Sequence, residues 1–200
     1  MMAGEFDDVQ MNLPNKLTLA RFVLTVFFLS ALFWRASFND TAALVLFCVA
    51  SLTDYYDGKI ARRDKLITNF GTLMDPLVDK IMTCSAFIAF VGRGPVPAWM
   101  VVIIVARELA ITGLRLLAAT KNVVLAAEGY GKHKTVSQIV AIITLLIAES
   151  FGEWGDWAGL VFKPWVPVLA RISLWVTVIL TFTSGGLYLW RNRRLYLDDL

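Results

Sequence analysis

Hydrophobic residues in this chain gather in long blocks rather than in the short periodic stripes of a soluble core. Six blocks stand out, at about residues 17–38, 41–62, 70–92, 96–119, 135–150 and 166–190. Most approach the roughly 20 residues a helix needs to cross about 30 Å of hydrocarbon. The fifth is shorter, and the second is apolar only in its first half. Polar punctuation separates them. Asn39-Asp40 predicts a tight turn, Arg62-Arg63-Asp64-Lys65 a short loop, and Gly92-Arg93-Gly94-Pro95 another turn. Longer loops are expected at 120–134, rich in Lys and Gly, and at 151–164, which bears Trp154 and Trp157 and is followed by Trp165. The expected fold is all-α: a polytopic membrane protein whose six-transmembrane-helix bundle fills residues 17–194. A lead-in at 1–16 and a short tail at 195–200 complete the chain, with no second domain.

Composition agrees, at 58% hydrophobic residues and a mean hydropathy of +0.64. The net charge of +3 is small and no basic run accompanies it, which argues against nucleic acid as a partner. The placement of the cations says more. Eleven of the 19 Lys and Arg residues, among them Lys16, Arg21, Arg62 and Arg194, fall on one set of block flanks. The opposite flanks hold four: Arg35, Arg93, Lys163 and Arg171. Positive residues stay cytoplasmic, so both termini are expected inside, with the three tryptophans at the outer interface of the bilayer. The first block has a longer apolar run than a signal peptide and no clear A-x-A site, so it reads as a retained span. Cys48 and Cys84 lie inside apolar blocks, where they read as small hydrophobes rather than a disulfide framework.

Polar residues inside such blocks are costly and mark function by default. Asp54, Asp57, Gly58, Ala61 and Arg62 are three or four residues apart and share one helical face; so do Gly71, Asp75 and Asp79. The short loop between the two segments predicts antiparallel neighbours whose polar stripes meet. Asp57 lies five residues from Arg62, hence about 8 Å below the cytoplasmic edge. The pocket should therefore open inward, at the depth of a phospholipid head group. With no thiolate or imidazole at ligand spacing, an oxygen-only donor set suits Mg²⁺, Mn²⁺ or Ca²⁺. Two such ions commonly clamp a phosphoryl group. Gly58 and Gly71 leave room for a bulky ligand, and Arg62 can grip a phosphate with two parallel hydrogen bonds. An ion pathway would spread polar groups through the whole membrane depth. Here the acids sit in the inner half, and 41–52 offers no path.

Written out, the stripe is D-x-x-D-G-x-x-A-R-x₈-G-x-x-x-D-x-x-x-D, carried by Asp54, Asp57, Gly58, Ala61, Arg62, Gly71, Asp75 and Asp79. It resembles, without substitution, the signature of the CDP-alcohol phosphatidyltransferase family. The lead-in from Pro14 through Asn15, Thr18 and Arg21 is similar to that family's P-N-x-(L/I)-T-x-x-R opening. Two further stretches, Arg107-Glu108 to Arg115 and Gly131-Lys132-His133-Lys134-Thr135, resemble the bacterial phosphatidylglycerophosphate synthase branch. The likeness runs from about residue 12 to 145. It implies a six-helix membrane enzyme, usually a homodimer, in the bacterial cytoplasmic membrane with its site facing the cytoplasm. It also implies transfer of a phosphatidyl group from CDP-diacylglycerol to sn-glycerol 3-phosphate, releasing CMP. Asp54, Asp57, Asp75 and Asp79 would bind two Mg²⁺ ions (or Mn²⁺), and Asp79 would also be the catalytic base. Thr18, Gly58, Arg62 and Gly71 would border the CDP moiety. Arg107, Arg115, Lys132 and Lys134 would hold the acceptor phosphate, with the lone histidine, His133, a solvated loop residue. The metal motif alone leaves other acceptors open, namely inositol phosphate, serine or phosphatidylglycerol.

Overall fold

Each apolar block winds into a helix, because inside a bilayer only helices satisfy their own backbone polar groups within one segment. The computed structural model describes residues 13–34, 37–64, 69–121, 123, 125 and 130–197. Side chains are described for these apart from 13–15, 17, 55–64, 69–73, 75–76 and 130–132. The helices are α1 (Leu13–Phe33), α2 (Asn39–Asp64), α3 (Asn69–Arg93), α4 (Ala98–Thr120) and α5 (Tyr130–Ser150). A 3₁₀ turn (Phe151–Trp154) and the short α6 (Asp156–Phe162) lead into α7 (Val166–Arg191) and α8 (Arg194–Leu197). No strand occurs among the described residues.

Several boundaries differ from the sequence pattern for identifiable reasons. Asn39 and Asp40, expected in a turn, begin α2 instead. The reversal falls one step earlier, where Phe38 adopts a left-handed φ of 65°. A carboxylate 113 residues away makes the early start possible. Glu153 accepts hydrogen bonds from the backbone N–H groups of Asp40 (3.1 Å) and Thr41 (2.9 Å), the donors that open a helix and have no partner within it. At its far end α3 runs through Gly92 and Arg93 before Gly94 stops it, with φ 101° and its N–H turned back to the Phe90 carbonyl at 3.0 Å. Residues 130–134, expected in a loop, form the first turn of α5. The segment at 151–164, expected as a loop, is itself largely helical.

Two stretches, His133–Trp154 and Val166–Arg191, are long and apolar enough to cross a membrane, and Thr18–Phe33 forms a shorter apolar helix. The other long helices, α2, α3 and α4, carry charges within their length. What unites the bundle is an inside-out distribution. Exposed positions are apolar: Phe22, Val26 and Phe27 on α1, Val102, Leu109 and Leu116 on α4, Ile172 and Ile179 on α7. Buried positions include Arg21, Glu108, Lys134, Gln138, Thr177 and Thr181. An apolar exterior of this extent needs a lipid covering, and polar groups then have no place but the interior.

Helix α1 packs against both α2 and α3; α5 packs against α7 and α2; α4 packs against α7 and α3. The apolar centre holds Phe28, Phe47, Phe87, Phe90 and Ile142, with the rings of Phe28 and Phe47 5.4 Å apart. Lipid tails are as apolar as these side chains, so cohesion comes from close packing and interhelical hydrogen bonds. The hydroxyls of Thr144 and Ser173, 2.9 Å apart, make one such bond between α5 and α7.

Candidate active site

A helix presents its side chains every 100° or so, so residues three or four apart face one partner. In α1 that face carries Thr18 and Arg21, both buried. Arg21 was expected on a flank as a cytoplasmic cation. It is instead fully buried, with its Nη1 2.6 Å from Asp54 Oδ1 on α2. Because α1 packs against both α2 and α3, it adds a third wall to the site expected between those two helices. The signal was present in the sequence: Arg21 closes the opening P-N-x-(L/I)-T-x-x-R motif, a fixed position with no topological reason to recur.

Asp54 is about half exposed, while Asp79 on α3 lies deeper and interacts electrostatically with Asp54, Arg21, Lys134 and Glu108. Two of the four motif aspartates thus interact electrostatically, together with charges from α1, α4 and α5. Asp57, Gly58, Arg62, Gly71 and Asp75 lie on α2 and α3, but their side chains fall outside the described residues, as does that of Lys132.

The cations expected for the acceptor divide in two. Lys134, 4% exposed, donates to Glu108 Oε1, and Arg107 Nη1 reaches the same oxygen at 3.3 Å. Glu108 is itself buried at the middle of α4, facing the protein interior as a charge in a membrane helix must. Its carboxylate holds two cations beside Asp79. Arg115, two turns further along α4, pairs with Tyr188 of α7 instead, its Nε 3.5 Å from the hydroxyl and its guanidinium 5.8 Å from the ring centre. His133 is exposed, in the first turn of α5 rather than in a loop. One contact had no sequence signal: Lys80 of α3 donates to the Thr112 hydroxyl of α4, which in turn donates to the Glu108 carbonyl at 2.7 Å. It fastens the helix bearing Asp79 to the helix bearing Glu108.

Chemically, the cluster joins carboxylates able to take a proton or bind a hard cation with buried cations able to hold a phosphate. The sequence profile of CDP-alcohol phosphatidyltransferases matches residues 11–183 of this chain. A CDP-diacylglycerol–glycerol-3-phosphate 3-phosphatidyltransferase from Bacillus subtilis (strain 168) is 41% identical over 193 residues, covering 90% of this chain and 95% of the relative. Proteins of the same name from Rickettsia felis and Escherichia coli K12 are 32% and 34% identical, covering 90% and 84% of this chain and 94% and 91% of their own lengths. This chain is a member of the CDP-alcohol phosphatidyltransferase family.

Proposed function

We propose that the chain is a phosphatidylglycerophosphate synthase, transferring the phosphatidyl group of CDP-diacylglycerol to sn-glycerol 3-phosphate and releasing CMP. The observation that carries this reading is 41% identity, over nearly the full length of both chains, to a relative named for that reaction. The cluster is also suited to it. Glycerol 3-phosphate is a dianion, and Arg107 and Lys134 gather at Glu108 beside the motif carboxylate Asp79.

Asp54 and Asp79 present the hard oxygen donors that divalent cations of the Mg²⁺ type prefer, and Asp57 and Asp75 would complete the set. Such ions, when bound, supply charge neutralisation on the pyrophosphate and its leaving group. The chain's own residues do the rest. Asp79 accepts the proton of the glycerol 1-hydroxyl as its oxygen attacks the lipid-side phosphorus. Arg107 and Lys134 hold the acceptor phosphate, with Lys132 and Arg115 at the rim. Thr18, Gly58, Arg62 and Gly71 border the CDP group. Arg21 fixes the Asp54 carboxylate so that it does not swing with each substrate.

The six long helices α1–α5 and α7 span the cytoplasmic membrane with both termini inside, so the diacyl chains stay in the bilayer and only the head group enters the site. The working form is a homodimer. Purified chain, supplied with labelled CDP-diacylglycerol, should make phosphatidylglycerol phosphate with glycerol 3-phosphate and no product with inositol phosphate, serine or phosphatidylglycerol. Chelation of divalent cations should stop the reaction, and Mg²⁺ or Mn²⁺ should restore it. A lipid product with any of the other acceptors, and none with glycerol 3-phosphate, would overturn the assignment.

A further inference from the structure

Gly185 of α7 lies hard against Arg107 of α4. A Cβ at Gly185 would stand 2.6 Å from Arg107 Cγ, 3.6 Å from its Cβ and 3.7 Å from its Nε. The first distance is far inside van der Waals contact. It falls on the stem of the side chain rather than its free end, so the arginine would have to adopt another rotamer. The neighbouring Gly186 has nothing within 4 Å of an added Cβ. The requirement for a bare backbone is therefore local to Gly185.

The guanidinium this contact positions is only partly engaged. Its Nη1 donates to Glu108, while its Nε is buried with no hydrogen-bond partner among the described residues. A buried N–H without an acceptor is costly, and such groups are a mark of sites completed by something else. The edge of a guanidinium that includes Nε can grip a phosphate through two parallel N–H bonds. Gly185 borders that edge.

We propose that Gly185 is a positioning residue for the acceptor: its missing side chain lets Arg107 lie across α7 with the Nε edge open to the phosphate of glycerol 3-phosphate. This rests on the reading of Arg107 as an acceptor-binding residue. The added methyl of Gly185→Ala would both displace the stem and crowd Nε, so the effect should fall on the acceptor and not on CDP-diacylglycerol.

The test compares Gly185→Ala, Gly186→Ala, Arg107→Ala and the Gly185→Ala/Arg107→Ala double variant, as full chains in detergent–lipid micelles. Gly185→Ala should raise KM for glycerol 3-phosphate roughly tenfold, with kcat and the KM for CDP-diacylglycerol within about twofold. Gly186→Ala should match the parent chain. In the Arg107→Ala background the crowded Cγ is gone, so Gly185→Ala should add nothing. An unchanged acceptor KM in Gly185→Ala, a uniform loss in all parameters, or additive effects in the double variant would overturn the proposal. If Gly185→Ala does not fold, recovery of folded protein in the double variant upholds the contact, and its absence counts against it. If Arg107→Ala itself leaves the acceptor KM unchanged, the binding role of Arg107 fails too; if only Gly185→Ala does, this inference alone fails.

Discussion

Charged side chains gather at two places in this bundle, and they are put to different uses. At one end Arg93 of α3 binds Asp40 of α2 at 2.6 Å and Glu149 of α5 at 2.8 Å, and donates to the Leu32 carbonyl of α1 at 3.1 Å. Beside it, Glu153 caps α2 and also accepts from the Thr41 hydroxyl at 2.6 Å, which in turn accepts from the Trp154 indole at 2.8 Å. Each group there is in direct contact with its opposite, and four helices are tied together. At the other end Arg21, Asp54, Glu108, Arg107 and Lys134 are also paired, but Asp79 is linked to them through longer-range electrostatics. A carboxylate consumed by close ion pairs makes a poor base; one kept within reach of charges but not clamped by them remains available to take a proton. We propose that the first cluster serves stability and the second chemistry.

That division can be broken most sharply at Asp79. Asp79→Asn keeps the size of the side chain but not its basicity, and turnover should fall by roughly 10²–10⁴-fold. The thermal unfolding midpoint should barely move. A large drop in midpoint with activity retained would place Asp79 with the structural charges.

Lys134→Met should affect both properties, since it leaves Glu108 with Arg107 alone. Removing one partner of a buried pair costs up to about 3–5 kcal/mol. The acceptor KM should rise together with the loss in stability. Parallel denaturation and kinetic measurements would detect either effect without the other, which would show that the pair belongs wholly to one use.

Arg93→Ala leaves Asp40 and Glu149 without their shared cation. These side chains are 21–27% exposed, so solvent screening reduces the effect to about 1–2 kcal/mol. A midpoint lower by several degrees, with kcat and both KM values unchanged, is the expected result. Glu153→Gln should do the same on a smaller scale, about 0.5–1 kcal/mol, as the amide keeps one of the two oxygens that accept from the start of α2 and no longer favours its dipole. Catalytic change in either variant would mean that the two clusters communicate.

The comparison also separates what could be read early from what could not. The six helices were legible because apolar block length is a local property. Their ends were less so: Asn39 starts α2 with the help of Glu153, 112 to 113 residues away from the amides it caps. The Trp-bearing segment was expected at a membrane interface. In the structure Trp154, Trp157 and Trp165 pack around Phe162, with Trp157 and Trp165 well exposed. The pairing of Arg115 with Tyr188 joins residues 73 apart, and nothing in the pattern around either position announces it.

The sequence by itself determined the spacing of Asp54, Asp57, Asp75 and Asp79, because helical geometry fixes which residues share a face before any partner is present. It likewise determined the apolar exterior and the oxygen-rich donor set. Tertiary structure alone decided that Glu108 gathers Arg107 and Lys134, and that Gly185 makes room for Arg107. The Lys134–Glu108 and Gly185–Arg107 contacts join different helices. Their geometry follows from how the helices cross, and no local periodicity encodes a crossing.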